Sequence, residues 1–523
     1  MPPSNLDAQP ASLESSYRFV KRSDPWLAGR NAAALTRFAH ANLAEAEFSL
    51  TKAKGGFTDF DGSPDVWQMD ARVESFFRLS PKTVCFGAMS YSSFDGKDMA
   101  GSAFTLFPIH RPFDLVEDSL MNTGDKHQDT YRLSGGVGSM VCKGLSIGAR
   151  FDYTAANYAK YKDLRHQNKL MDLRLTAGVY VPFAPWGALG ANYLYHRNTE
   201  SIDFGTYGKS EKVYQTLVSY AAFMGHVEQF GTSGYTDKSR EMPLVTDQNG
   251  FGLQLSLQPV GCLSLYQSFD YAHAHGYYGR QSPFTITYTG HRSDAYDYAA
   301  RLTHAQGESS FSLDFALSVE NLENEANTYR ELQNESGATY YNYYTPVKTA
   351  NKLWVDALLT ATADLGIKDS LPTWTIQAGY GRYERRQTAY AYPYYRRQEL
   401  QRHEFFASVA RHFVTRRGVW SIAARAAFAK GKGDPCEDYA YEAPSDKQAP
   451  PSSMEAYLYR EYLYLTAAQY SIGATVGYSF LFPGTKLQTH ARLGLQHRKA
   501  NETNPYAVGC DRTTVQVAFG CTF

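Results

Sequence analysis

Three short patterns in the sequence carry residue types that catalysis uses. Gly144-Leu145-Ser146-Ile147-Gly148 has the spacing of a nucleophile elbow, where a strained strand-to-helix turn exposes a serine hydroxyl. The residues after Ser146 alternate between apolar and polar instead of opening a helix, so it is read as a strand residue pointing into a lumen. His403-Glu404 begins a zinc-peptidase pattern, but position 407 is Ala where the second imidazole should stand. His273 and His275 share one face of a strand end, and two imidazoles alone are too few to hold zinc. A convergent nucleophile, base and orienting group cannot be assembled from these pieces. The expectation is no catalytic residue, no metal, no cofactor and no enzyme activity.

The elements that would position such residues follow from composition and pattern. The chain has 523 residues, with Lys+Arg 52 against Asp+Glu 52, and this balance offers no basic surface for nucleic acid. Tyr 40, Phe 30 and Gly 41 favour sheet over helix and exclude disorder. No apolar run approaches the roughly 18 residues of a spanning helix. From about residue 43, long segments alternate strictly. Val515, Val517, Phe519, Cys521 and Phe523 share one face of the last. Trp67, Met69, Ala71, Val73 and Phe77 do the same near the start, and Met171, Leu173, Leu175, Ala177 and Val179 further on. Tight turns at Ser80–Thr83, Val141–Gly144, Pro182–Gly187, Pro259–Cys262, Thr415–Gly418 and Phe482–Thr485 alternate with long connections near 95–129, 201–246, 323–349 and 432–464. A soluble sandwich or propeller would use strands of about five or six residues. Strands of about a dozen, with short turns at one end and long loops at the other, read as an all-β fold: a transmembrane antiparallel up-and-down β-barrel. The count is about 18 strands, with a range of about 14–18. The expected division is an N-terminal periplasmic or plug segment, 1–42, and a barrel, 43–523. A helix-prone run from Asn31 to Leu43 follows Asp24-Pro25-Trp26-Leu27-Ala28-Gly29-Arg30. A barrel this wide is water-filled unless something occupies it.

On this register Asp70, Arg72, Glu74, Arg78, Arg150, Asp152, Asp172, Arg174, Arg301, Asp314, Arg425, Arg492 and Arg498 face the lumen. An Arg or Lys facing lipid near the midplane costs roughly 2–4 kcal/mol, which leaves the interior as their place. Mixed signs favour an ion-pair lattice tying wall to wall or wall to plug; the functional alternative is a constriction that selects solutes by charge. Tyrosines crowd the stretches read as loops: Tyr340, Tyr341, Tyr343, Tyr344, Tyr390, Tyr392, Tyr394, Tyr395, Tyr457, Tyr459, Tyr462 and Tyr464. An interfacial girdle and loop packing account for many. Tyr340, Tyr341, Tyr343, Tyr344, Tyr392, Tyr394 and Tyr395 are the candidates for ligand contact, by stacking a sugar ring or gripping a protein. Of the six cysteines, Cys85, Cys142, Cys262 and Cys521 fall toward the short turns. Cys436 and Cys510 fall toward the loops and are the candidate disulfide of an oxidising compartment.

The final strand, with Val517 and Phe519 leading to a terminal Phe523, resembles the signal recognised by the outer-membrane barrel assembly machinery of Gram-negative bacteria. Ser23-Asp24-Pro25-Trp26-Leu27-Ala28-Gly29-Arg30-Asn31-Ala32-Ala33-Ala34-Leu35 and Phe57-Thr58-Asp59-Phe60-Asp61-Gly62 resemble a Bacteroidetes family of outer-membrane barrels of unknown function. That resemblance implies an accessory barrel beside a TonB-dependent transporter, and it brings no catalytic residues. A fainter likeness is to long-chain fatty acid transporters, whose hatch carries Asn-Pro-Ala; Asn31-Ala32-Ala33 lacks the proline. The function expected is passage or uptake of a small solute, gated by long extracellular loops. The alternative is a plugged surface receptor or scaffold that binds a ligand or a TonB-dependent transporter through its tyrosine loops. Outer-membrane lipid, lipopolysaccharide and the assembly machinery are the other expected partners. Met1-Pro2-Pro3-Ser4-Asn5 shows no leader pattern, so an outer-membrane location expects one removed before this numbering.

Overall fold

The computed structural model describes residues 13–39, 42–117, 119–208, 211–231, 234–236, 242–482, 487–507 and 509–523. Period-two alternation resolves into eighteen antiparallel wall strands. The first six are β1 Asn42–Lys54, β2 Asp65–Ser80, β3 Thr83–Met99, β4 Gly124–Cys142, β5 Leu145–Lys160 and β6 Arg165–Ala184. Next come β7 Gly187–Gly205, β8 Met242–Val260, β9 Leu263–Gly279, β10 Thr287–Gln306, β11 Ser309–Ala326 and β12 Val347–Leu365. The circuit ends with β13 Trp374–Ala391, β14 Tyr394–Thr415, β15 Gly418–Gly433, β16 Gln469–Leu481, β17 Gln488–Ala500 and β18 Asp511–Thr522. β1 pairs with β18 from Glu45 opposite Thr522 to Lys54 opposite Thr513, which closes the barrel. Ala44 and Phe523 exchange both backbone hydrogen bonds, at 2.9 and 3.0 Å. Closure leaves no unpaired edge among the described wall strands, as a wall in lipid requires. The sequence reading of the fold, including its count, stands.

The two ends differ as expected. Pro81-Lys82, Lys143-Gly144, Pro185-Trp186, Gly261-Cys262 and Arg416-Arg417 each turn the chain in two residues, while 100–123, 206–241, 327–346 and 434–468 are long. The turn expected at Phe482–Thr485 lies largely outside the described residues. One expectation on the loop side is corrected. Tyr390, Tyr394 and Tyr395 belong to strands, because β13 and β14 continue as a long hairpin capped by Tyr392-Pro393 alone.

Outward positions are apolar all round: Trp67, Met89, Tyr193, Leu253, Phe405, Leu493 and Phe519 are among the exposed large side chains. A continuous apolar belt of this kind has no stable place in water. No described helix is long and apolar enough to cross a membrane.

The interior is occupied. From the short-turn end come α1 Leu13–Ser23, the single turn α2 Pro25–Ala28 and a 3₁₀ turn at Ala32–Arg37. The helix expected over Asn31–Leu43 is therefore only this tight turn, and Leu43 already belongs to β1. From the loop end a four-stranded sheet folds inward, built from Asp114–Glu117, Gln215–Ala221, Met224–Gln229 and Ser452–Ser453. With it comes α3 Glu455–Thr466, inside the stretch read as a loop. Its buried side chains, Tyr457, Leu458, Arg460 and Glu461, mix rings with charges, so no apolar stripe marked it in the sequence. Tyr457 is thus core rather than loop surface. The disulfide is also corrected, since all six cysteines are free thiols. Cys436 packs beside Val116, Leu217, Phe223 and Tyr457, whereas Cys510 sits just ahead of β18.

Leu493→Arg, on the outward face of β17, should cost about 2–4 kcal/mol if that face meets hydrocarbon. A urea titration of the barrel refolded into vesicles reads the loss; an unchanged midpoint would mean that this face does not lie in lipid.

Candidate functional site

The floor of the lumen begins with bare backbone. A Cβ on Gly138 would run into the Ala32 carbonyl, one on Gly148 into the Ala33 amide, and one on Gly178 into the Asn31 side chain. These glycines, on β4, β5 and β6, form a cradle that seats the turn from Asn31 to Leu35. Asn31 closes the seat from both directions. Its Oδ1 accepts from the Ala33 amide at 3.1 Å, capping the turn, while its Nδ2 donates to the Val179 carbonyl at 2.9 Å and to Gln254 at 3.0 Å. Trp26 is buried edge-on against Tyr180 and Tyr266, at 5.0 and 5.2 Å between ring centres. Ion pairs then hold α1 to the wall: Arg22 with Asp364 at 2.7 Å, Lys21 with Glu74 at 2.5 Å and Arg18 with Glu47 at 3.0 Å. Tyr17 is buried and donates to Glu74.

The roof is the segment Thr105–Pro112. Glu200 on β7 accepts from the Thr105 amide at 2.6 Å and from its hydroxyl at 3.1 Å. Arg111 turns back onto the Thr105 carbonyl at 2.7 Å, and Lys352 of β12 donates to the Arg111 carbonyl at 3.1 Å. His110 lies flat on Trp354, with centres 4.0 Å apart and planes 3° from parallel, and its Nδ1 is 2.7 Å from Glu320. Above the roof, Phe104, Phe113, Tyr235, Tyr278 and Tyr288 form a buried aromatic cluster.

Between floor and roof lies a chamber of about 750 Å³, lined by Arg30, by the roof, and by β6 to β11 through Arg174, His196, Gln248, Asp270, Asp297 and Glu320. That is the size of cavities that take small ligands. A neighbouring space of about 870 Å³ is lined by Asp356, Arg382, Arg402 and Arg425, with Asp270 and Asp297 common to both.

A block of buried charge fastens the inward loops. Arg385 grips both carboxylate oxygens of Glu461 at 2.9 and 2.6 Å, and Arg460 donates to Thr58 at 2.7 Å. Phe60 stands edge-on to Phe223 at 4.9 Å. Beside these, burial holds the Asp59 carboxyl well above the usual range, reinforced by the Glu461 and Asp61 charges. Burial raises Asp61 too, with Asp114 adding to it, and burial raises Asp114 itself.

All thirteen charges assigned to the lumen sit on the inward strand faces. Several make the pairs a lattice needs: Arg72 with Glu74 at 2.7 Å, Arg150 with Asp152 at 2.8 Å, and Arg301 with Asp314. Asp172 pairs with His196 at 2.6 Å, Arg492 with Glu47, and Arg425 lies over Phe406 at 4.4 Å. Arg498 reaches the Tyr464 hydroxyl at 3.3 Å. Arg78 lies by the short turn, near the Pro81 carbonyl, and Asp70 accepts from Gln68 at 3.0 Å. The tyrosine candidates do not converge. Tyr340, Tyr341 and Tyr343 lie on a hairpin of Tyr329–Gln333 with Thr339–Tyr343, and Tyr344 follows it. Tyr392 meets Glu442, Tyr394 donates to the Gln448 carbonyl at 2.9 Å, and Tyr395 packs on Tyr441 at 4.6 Å. Val517, Phe519 and Phe523 stand at the closing seam.

The catalytic-looking patterns have local partners. Ser146 shares a hydrogen bond with Thr36 at 3.0 Å, His403 with Tyr380 at 2.7 Å, and His273 with Asp294 at 2.9 Å. Glu45, Glu47 and His490 bring donor atoms within 4.8 Å of one another, but Arg18 and Arg492 already supply positive charge there. Sequence reasoning missed Glu200, Arg385 and Glu461, which meet their partners between a wall strand and an inward-folded segment far along the chain. It also missed Asp270 and Asp297, although their alternation with apolar neighbours marks them as inward.

A family model described as a family of unknown function, DUF6850, matches residues 32–523. No curated protein matches the chain. Among solved structures, the ferric preacinetobactin receptor BauA from Acinetobacter baumannii aligns at 9% identity over 93% of this chain and 80% of that one, with a TM-score of 0.41. The outer membrane transporter YddB from Escherichia coli aligns at 9% identity over 92% and 81%, with a TM-score of 0.42. A FadL homologue from Pseudomonas aeruginosa aligns at 10% identity over 96% and 94%, with a TM-score of 0.35.

Gly148→Val should unseat the N-terminal turn at an overpacking cost of about 1–3 kcal/mol. The barrel should persist while trypsin cleaves after Arg30 and Arg37 roughly 5- to 150-fold faster; unchanged cleavage would mean that the cradle does not hold the segment. The loop block should respond to pH. Asp59, Asp61 and Asp114 hold protons more tightly when packed than when the loops open. Packing therefore gains stability as pH falls through their raised values, down to the ordinary carboxylate range, and loses it as pH rises. Protection factors over 55–64 and 455–466, with the intrinsic pH dependence of amide exchange divided out, should rise on mild acidification, and Asp59→Asn with Asp61→Asn should flatten that dependence. Lower protection in acid would contradict the assignment.

Proposed function

We propose that the chain, which belongs to the DUF6850 family, is an outer-membrane barrel for gated uptake of a small solute. The observation that carries this reading is a lumen filled at both ends with a chamber of about 750 Å³ between them. A permanently open pore needs neither filling, and a purely structural barrel has no use for the space. On this reading the apolar belt lies in the outer membrane, with the short turns toward the periplasm and the long loops outside. A solute enters when the roof segment and α3 move aside, rests in the chamber, and leaves as the N-terminal segment withdraws from its glycine cradle. Alternating obstruction of this kind passes a solute without leaving an open channel.

The interactions at each gate suit such movement. The roof segment is held by hydrogen bonds, the Arg111–Glu200 ion pair at 3.4 Å and one stacked ring pair, α3 by the buried Arg385–Glu461 pair beside titratable carboxyls, and the floor by small residues and partly exposed ion pairs that are individually weak. A second reading, a surface receptor, draws on the Tyr329–Tyr343 hairpin, where Tyr343 and Tyr344 remain exposed. It would engage a ligand or a neighbouring transporter without passing anything.

Planar-bilayer recording separates the two. The full chain should be silent or nearly so, and stable ohmic steps should appear in Gly148→Val or after removal of residues 1–37. Steps of equal size in the intact chain would mean an open pore. Silence in every form would favour the receptor.

A further inference from the structure

Most arginines inside this barrel have a carboxylate in contact. Arg22 has Asp364, Arg72 has Glu74, Arg150 has Asp152, Arg301 has Asp314, Arg385 has Glu461 and Arg492 has Glu47. Arg30 and Arg174 do not: among the described residues neither makes a hydrogen bond or an ion pair. The acids nearest Arg174 are engaged elsewhere. Asp172 is taken by His196 at 2.6 Å and Asn198 at 3.0 Å, and Asp152 by Arg150 and Ser134. The Nε of Arg174 is buried without a partner. Both side chains line the same chamber, close enough for their charges to repel. Asp270 feels the charge of Arg30 across the chamber without pairing to it. Arg174 thus faces the cavity with a second guanidinium lining the same space, its Nε buried without an acceptor and its two nearest acids engaged elsewhere, while Asp270 and Asp297 line the chamber from β9 and β10. An incoming oxyanion would supply the acceptor that Arg174 lacks.

We infer that the chamber binds a small solute through an oxyanion group, carboxylate or phosphate, clamped between the guanidinium groups of Arg30 and Arg174. This rests on the gated-uptake reading above and names the class of solute. The two planar groups suit an oxyanion because each presents paired N–H donors. The site is composite: Arg174 stands on the wall, whereas Arg30 arrives with the N-terminal segment, next to the Asn31 that locks into the cradle. A bound solute therefore bridges floor to wall. Withdrawal of the segment takes away half of its charge clamp at the moment the way out opens, so capture and release are set by one movement.

The test uses the full chain in detergent and equilibrium dialysis at constant ionic strength. Labelled citrate and inorganic phosphate are the probes, and mannitol is the neutral control. Expected is saturable binding of one anion per chain, with mannitol unbound. Arg30→Gln and Arg174→Gln should each weaken it by about tenfold, the loss of one charge-assisted contact. Arg382→Gln, whose partner is Glu384 at 2.6 Å, should leave it unchanged. Bound anion should also slow tryptic cleavage after Arg37, an effect absent from Arg174→Gln, which keeps the floor's own contacts. Citrate binding without phosphate, or the reverse, would assign the group as carboxylate or phosphate. No saturable anion binding, or binding that both substitutions leave intact, would overturn the site. Conductance after truncation with no anion binding would overturn this inference alone and leave gated uptake standing. Anion binding without conductance in any form would do the opposite.

Discussion

The turn Asn31–Leu35 meets the wall backbone to backbone, and the rest of the interior is arranged around that contact. Its closeness depends on missing side chains: Gly138, Gly148 and Gly178 leave no Cβ where Ala32, Ala33 and Asn31 must lie. Dispersion at such separations and the hydrogen bonds of Asn31 fix the height and rotation of the floor. Once that turn is placed, Trp26 falls between Tyr180 and Tyr266, α1 brings its basic residues to Asp364, Glu74 and Glu47, and Arg30 points into the chamber. A contact built from small residues is also reversible, because it buries little apolar area for each hydrogen bond it makes.

Charge does two different jobs in this lumen. Where Arg and carboxylate are adjacent on one strand or across neighbours, as in Arg72 with Glu74 or Arg301 with Asp314, the pair satisfies groups that could not face lipid. Where charges meet across long sequence separations, as in Arg385 with Glu461, they hold a loop inside the barrel. The second kind is dearer to make and break, since both partners are buried. It is surrounded by Asp59, Asp61 and Asp114, whose carboxyls burial pushes upward, so the fastening of the loops is tied to protonation. The floor and the roof are therefore held by different physics. Close packing and partly exposed ion pairs hold one; buried, titratable charge and stacked rings hold the other.

The wall was legible because alternation is a local property. A strand with lipid on one side and water or a plug on the other must repeat every two residues, and Trp67 to Phe77 or Val515 to Phe523 display that without reference to anything distant. The inward charges were legible for the same reason. The contents of the lumen were not. α3 mixes rings and charges because it packs on a polar wall, so Tyr457 and Glu461 carry no helical stripe. Tyr394 and Tyr395 resembled loop residues because aromatic clusters mark rims and loops alike, and only the pairing of β13 with β14 makes them strand.

By itself, then, the sequence determined the barrel and which charges face inward, since each is dictated by the two environments a wall strand meets. Tertiary structure alone decided that the glycines of β4, β5 and β6 align into one cradle, that Cys436 and Cys510 form no disulfide, and that Arg30 and Arg174 line one chamber without an ion pair of their own. The reason is separation along the chain. Residue 30 and residue 174 are neighbours only because a closed wall carries β6 past the place where the N-terminal segment comes to rest.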